Sequence, residues 1–249
     1  MSKRSELAIL MAAGMGTRMR PLTETTPKPL ITVHGKPMIE TVIDGLKERG
    51  VNKFLVVVGY LGEQFKCLEE KYDNLRIVEN KDYQTINNIS SIYAVADELM
   101  DTENDVFICE ADLYVSDKEL FSVELDHSCY FAKMVPGHSD DWVFDVDDNG
   151  RITRVGKVGD DHFNMVGVSW FKKEDAHILA RCIKEAYGKE GYEDLFWDDV
   201  VNGNLDKLDL TVYEINNSQI TEIDTVEELA EVDDFYKHII DVEGSKYSL

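Results

Sequence analysis

Apolar positions along the chain follow two rhythms. Runs of strand length occur in "LAILMAA", "KFLVVVGY", "LRIVEN", "DVFICEAD" and "SCYFAKM", and continuous runs of this kind suit strands covered on both faces. Between them apolar residues recur at helical spacing. Ile39, Val42, Ile43 and Leu46 form one such stripe, and Gly50 stops it; "SSIYAVADEL" fits the next helix. The alternation predicts an α/β fold, a Rossmann-like mixed, mostly parallel sheet flanked by helices. Ligands of such sheets gather at the carboxyl ends of strands, which should bring Gly14 to Arg20, Gly59 and Asp112 to one rim.

From Trp142 the pattern changes. "WVFDVDDNGRITRVGKV" reads as two strands around an Asp-Asn-Gly turn, and "FNMVGVSWF" as another strand. A helix over "EDAHILARCIKEAYG", a helical "EDLFWDDVVNG", a strand "LTVYEI", the short "ITEID" and an acidic helix from about Val226 follow. With no internal repeat or low-complexity linker, residues 1–249 read as one domain whose C-terminal part is an elaboration folding back onto the sheet.

Charge narrows the partners. A formal net charge of −23 argues against nucleic acid or an anionic membrane surface. Its distribution says more: residues 1–36 hold six basic residues against two acids, whereas from Glu190 onward seventeen acids face three lysines. One end thus offers an anion site and the other offers acids for a metal or an organic cation. Cys67, Cys109, Cys129 and Cys182 form no CxxC pair, as expected of reduced thiols. No apolar run approaches the roughly 20 residues of a membrane helix, and no signal peptide precedes Leu7, so a cytoplasmic protein without membrane insertion is expected.

The candidate chemistry starts in "LAILMAAGMGTRMRPLTETTPKPL", Leu7 to Leu30. A strand entering a glycine turn lets backbone N–H groups approach phosphate. Gly14 and Gly16 are followed by Thr17 and Arg18 with no lysine at the Walker A place, and Met19 stands where a dinucleotide fingerprint needs glycine. What remains is a phosphate loop with its own cations, Arg18, Arg20 and Lys28.

"AAGMGTRMRPLTETTPKPL" resembles the signature of nucleoside-diphospho-sugar-type nucleotidyltransferases. "NNISSIYAV", "EADLYV", "DWVFDVDDNG", "GVSWF", "EDLFWDDVV" and "EIDTVEEL" together resemble the bacterial CTP:phosphocholine cytidylyltransferases, from about Leu7 to about Asp233. The resemblance implies transfer of CMP from CTP to phosphocholine, giving CDP-choline and pyrophosphate, with residues to about 135 holding nucleotide and those from about 136 holding the acceptor. It implies Gly14, Gly16 and Thr17 at the triphosphate, Arg18 on the departing phosphates and Lys28 at the reacting centre. Asn87, Asn88 and Ser91 fall where the family contacts the nucleotide, and backbone groups near Ala12 and Ala13 are placed to tell cytosine from uracil.

Two anions must meet in such a reaction, so catalysis is mainly charge neutralisation and alignment. Mg²⁺ prefers oxygen ligands, and Asp112 with Asp224 are the expected pair; capping the last helix is the competing role for Asp224. A quaternary ammonium has no N–H to donate and is held by aromatic faces and carboxylates. By resemblance Trp142 and Trp197 form that cage with Asp198 and Glu222 as charge partners and Tyr192 nearby, core packing being the competing role for each tryptophan. Two departures stand out: Glu110 where an aspartate is expected, and only Lys157 in "GKVGD" near the place of the sugar-nucleotide "EKP" motif. The other readings are a sugar-1-phosphate nucleotidyltransferase, a cytidylyltransferase for phosphoethanolamine or an aminoalkylphosphonate, and a nucleotide-binding regulatory module without turnover.

Overall fold

A computed structural model describes residues 5–240. Lys3 and Arg4, counted above among the basic residues, lie outside them, as do Asp241, Glu243 and Lys246. Along the chain come β1 (Glu6–Ala12), β2 (Thr32–Val33), β3 (Lys36–Pro37), α1 (Met38–Arg49), β4 (Lys53–Val58), α2 (Lys66–Lys71) and β5 (Leu75–Glu79). Next are α3 (Ile89–Tyr93), α4 (Ala96–Asp101), β6 (Asp105–Glu110), β7 (Leu113–Val115), β8 (Ser128–Val146) and β9 (Ile152–Phe171). The remainder holds α5 (Lys173–Ala186), α6 (Trp197–Asn202), β10 (Leu210–Glu214), β11 (Ile220–Glu222) and α7 (Val226–Val232).

The main sheet has seven strands in the order β10-β8-β9-β6-β1-β4-β5. Only β9 runs against the others, antiparallel to both β6 and β8, so the mixed, mostly parallel sheet expected from the sequence is the one observed. Side chains alternate across each strand, and β1 shows the result: Ala8, Leu10 and Ala12 face one core, Leu7 and Ile9 the other. Ile39, Val42, Ile43 and Leu46 of α1 fill the first core, each burial contributing about 1.5–3 kcal/mol. Gly50 ends α1 at φ 109, its N–H donating to the Leu46 and Lys47 carbonyls. Among the described residues no helix is long and apolar enough to cross a membrane.

Three expected elements differ. The helix read over "SSIYAVADEL" is two, α3 and α4, because a tightened turn at Val95 keeps Ile89, Ile92, Val95 and Leu99 all in the core. "SCYFAKM" and "FNMVGVSWF" are not separate strands but the bases of β8 and β9, whose far ends form the Asp-Asn-Gly hairpin. The polar stretch "GHSDD" hides this continuity in the sequence, while register shifts near Val135 and Ser139 absorb it in the ladder. "EDLFWDDVVNG" is helical only in a short turn at Tyr192–Asp194 and in α6, with Leu195 and Phe196 extended between them.

A third core joins distant parts of the chain. Met19, Ile31, Val33 and Met38 pack with Ile223, Leu229, Ala230 and Tyr236, the His34 N–H donates to Asp233 at 2.7 Å and the Tyr236 hydroxyl to the Thr32 carbonyl at 2.8 Å. The segment after β1 is thereby fixed against α7.

Candidate active site

At the carboxyl end of β1 the chain turns through Gly14 and Gly16. Gly16 has φ 58, and a Cβ there would stand 2.9 Å from the Lys28 Cβ and 3.1 Å from the Thr23 Cγ2, so only glycine fits without a shift. The Thr23 hydroxyl donates to the Gly16 carbonyl at 2.8 Å, and the Tyr60 hydroxyl to the Thr23 carbonyl at 2.8 Å. A Cβ on Gly14 would meet nothing within 4 Å: the loop is closed on its protein side and open on the other. Gly59, expected on this rim, lies under Tyr83, where a Cβ would come within 2.5 Å of the ring.

Lys28 is only 6% exposed. Its Nζ lies 2.5 Å from Asp112 Oδ2 and 2.6 Å from Asp224 Oδ1. Burial acts to lower its pKa, but the two carboxylates outweigh this and raise it, so Lys28 is a fixed cation. Arg18, with 67% of its side chain exposed, reaches the same Asp224 oxygen at 2.8 Å. The strand pairing explains the meeting: β11 runs antiparallel to β7 with Glu222 opposite Leu113, and the Ile223 N–H donates to the Asp112 carbonyl at 3.3 Å. The cap of α7 is Thr225, in a reciprocal box with Glu228, so the Asp224 carboxylate is left for the two cations.

Glu110, Asp112 and Glu222 offer oxygens all within 4.8 Å of one another. Burial and then the charges of Glu222 and Asp112 push the Glu110 carboxyl well above the usual range. Glu222 is exposed at the mouth of the cleft, yet the protein surrounding it, followed by Asp112 and Asp224, pushes its pKa up to about 8. Crowded acids of this kind ionise together only when a cation joins them. Asp112 Oδ1 is buried with no hydrogen-bond partner, an orphaned acceptor that a hard cation would satisfy. The expected metal pair is therefore corrected: Asp224 is held by Lys28 and Arg18, and Glu110 and Glu222 are the acids grouped with Asp112.

These groups open into a cleft of about 610 Å³. The loop contributes Ala12, Ala13, Gly14, Gly16, Thr17 and Arg18, and the second strand layer contributes Asn88 and Ser91. Asn87 does not reach the cleft; its N–H and side-chain amide donate to the Glu193 and Asp194 carbonyls at 2.8 and 3.3 Å, which clamps this loop to the segment before α6.

The far end differs from the expected cage. Trp142 lines the cleft, but Trp197 is 3% exposed and stacks on Tyr130 at 5.7 Å, inside the core. Trp197, Val200 and Val201 form the apolar stripe of α6, and that stripe faces the sheet. Asp198, 2% exposed, accepts from the Tyr130 hydroxyl at 3.0 Å and does not line the cleft; burial pushes its pKa up to about 7. Tyr192 packs on Tyr187 at 4.8 Å and is likewise outside. The second ring is Phe196, edge-on to Trp142 at 5.4 Å. Sequence reading missed Phe196, Lys133 and Asn164 in this cleft, together with Asp140 and Asp141; a lone lysine in the apolar "SCYFAKM" was the one available signal.

Residues 8–154 match the model of the MobA-like NTP transferase domain. The 2-aminoethylphosphonate cytidylyltransferase of Lancefieldella rimae is 53% identical over 94% of this chain and 94% of its own length. The choline-phosphate cytidylyltransferase of Streptococcus pneumoniae is 35% identical, covering 93% of this chain and 98% of its own length. Among solved structures, a CTP:phosphocholine cytidylyltransferase from Streptococcus pneumoniae superposes with a TM-score of 0.84 at 36% identity, over 94% of this chain and 100% of that one.

Proposed function

We infer the reaction from one premise: the chain belongs to the MobA-like NTP transferase family and is a nucleotidyltransferase. We propose that it transfers CMP from CTP to 2-aminoethylphosphonate or a closely similar aminoalkylphosphonate, with release of pyrophosphate. This replaces phosphocholine, the acceptor first expected, with the alternative that carries a primary ammonium. The observation that carries the reading is the 53% identity along nearly all of both chains to an enzyme named for that acceptor. The geometry supports it. With Trp197 in the core, the aromatic surface is reduced to Trp142 and Phe196, while Asp140, Asp141 and Glu222 line the same cleft. A primary ammonium donates hydrogen bonds to carboxylates; a trimethylammonium group donates none.

An ionised phosphonate oxygen attacks the α-phosphorus of CTP, the bond from that phosphorus to the bridging oxygen breaks, and pyrophosphate leaves with the electron pair. The acceptor's carbon–phosphorus bond is untouched and no general base is needed. Lys28, already charged and fixed, neutralises the oxygens around the α-phosphorus, and Arg18 grips the departing phosphates with its planar fork. The open side of Gly14 admits the triphosphate to the backbone N–H groups. A divalent ion such as Mg²⁺ fits Asp112, with its orphaned oxygen, together with Glu110 and Glu222, and when bound it neutralises phosphate charge. Lys133 and Lys157, which no ion pair holds among the described residues, are the cations left to receive the phosphonate.

The test is pyrophosphate release from CTP and Mg²⁺ with 2-aminoethylphosphonate, phosphocholine, phosphoethanolamine and glucose-1-phosphate in parallel. The highest kcat/KM belongs to 2-aminoethylphosphonate. A preference for phosphocholine would return the acceptor to the choline type, and activity confined to the sugar phosphate would overturn the reading of the whole far end.

A further inference from the structure

The Lys157 ammonium stands 4.2 Å from the centroid of the Phe196 ring and 5.2 Å from that of Trp142. Lys157 pairs with Trp142 across the β8–β9 hairpin, so its side chain reaches the rings from the neighbouring strand. No carboxylate holds it in an ion pair among the described residues, although Asp140 and Asp141 line the same cleft. The aromatic pair therefore already carries a cation, and that cation is the protein's own.

We propose that Lys157 is the resident occupant of the acceptor's ammonium subsite and acts as a charge filter: it sits on Trp142 and Phe196 until an acceptor bringing its own cation displaces it. This inference rests on the aminoalkyl-acceptor reading above. A cation over an aromatic face is worth roughly 2- to 30-fold in binding. An acceptor with an ammonium group restores that contact when it displaces Lys157, whereas a neutral tail leaves the rings without a cation. Neutral acceptors are thus rejected by the contact they cannot replace, which is selectivity by exclusion. The cost is a reduced apparent affinity for the correct acceptor, since the subsite must first be vacated. Lys157 is exposed and its four-carbon stem lets the head swing clear.

The experiment separates the cation subsite from the phosphorus end. Ethylammonium, which carries no phosphorus, is titrated into the wild-type enzyme, Lys157→Gln and the charge-keeping Lys157→Arg, with binding followed by calorimetry. Lys157→Gln should bind the probe about three- to tenfold more tightly than wild type, and Lys157→Arg about equally to wild type. In turnover, the kcat/KM ratio of 2-aminoethylphosphonate over propylphosphonate, its neutral isostere, should fall about three- to tenfold in Lys157→Gln. Equal or weaker probe binding by Lys157→Gln, or an unchanged ratio, overturns the proposal. If wild-type enzyme turns over no aminoalkyl acceptor, the reaction reading fails, while the ethylammonium titration still decides the role of Lys157.

Discussion

Replacing Asp198 by asparagine tests whether this acid serves the core or the acceptor. Its carboxyl is buried behind the cleft, and burial moves its pKa from 3.8 to about 7. A raised folded-state value means the wild type carries no penalty below pH 3.8, loses stability as pH climbs toward 7, and loses no more above it. At about 1.36 kcal/mol per unit, the penalty reaches about 4 kcal/mol at pH 8 and about 1.5 kcal/mol at pH 5. Asp198→Asn keeps an oxygen for the Tyr130 hydroxyl but adds an amide NH₂ that needs a partner, a cost of about 1–3 kcal/mol at every pH. The net gain at pH 8 is therefore about 2 kcal/mol, but the difference between the two pH values is free of the amide cost. That difference, about 3 kcal/mol, corresponds to about 6–12 °C in the relative Tm of a domain this size. Thermal unfolding of both proteins at pH 5 and pH 8 reads it, with acceptor KM measured on the same samples. An offset equal at the two pH values would refute the burial argument, and an acceptor KM raised tenfold would make Asp198 a ligand of the acceptor.

Further outcomes follow from the same geometry. Lys28→Met should lower kcat by about 10²–10³ in the pyrophosphate assay, the loss expected when one preorganised charge is removed from a transition state; a change below threefold removes Lys28 from the reacting centre. Gly16→Ala should lower Tm through its left-handed backbone and the Lys28 contact, by about 1–3 kcal/mol, whereas Gly14→Ala should leave Tm unchanged and raise the CTP KM. If both variants keep their CTP KM, the open side of the loop is not the triphosphate site. Asp112→Asn should raise the Mg²⁺ concentration needed for half-maximal rate at least tenfold, read by a metal titration at saturating CTP.

Legibility followed locality. The strand, the glycine turn and the α1 stripe ending at Gly50 were readable because each depends on neighbours a few residues away. The pairing of Lys28 with Asp112 and Asp224 was half readable: each residue type suggested its chemistry, but only the β7–β11 register makes them neighbours. Trp197 is the instructive miss. Its spacing to Val200 and Val201 marked a core-facing stripe, whereas its chemistry suggested a cage, and packing prevailed. Phe196 reaches the cleft because it lies in the extended residue before α6, a direction no local pattern announces. The continuous β8–β9 pair was hidden for a similar reason, since its polar middle follows neither strand nor helix periodicity.

The third core has a bearing on how the enzyme comes into being. All seven strands of the main sheet are complete by Glu214, yet Glu222 and Asp224 come later and are seated through Ile223, Leu229 and Tyr236 packing on Met19 and Ile31. A nascent chain stopped at residue 216 would have the sheet and the phosphate loop, with Lys28 facing Asp112 alone. Competence thus arrives with the last segment translated, when Asp224 joins a lysine made 196 residues earlier, and an incompletely synthesised chain is a folded scaffold rather than a weak enzyme.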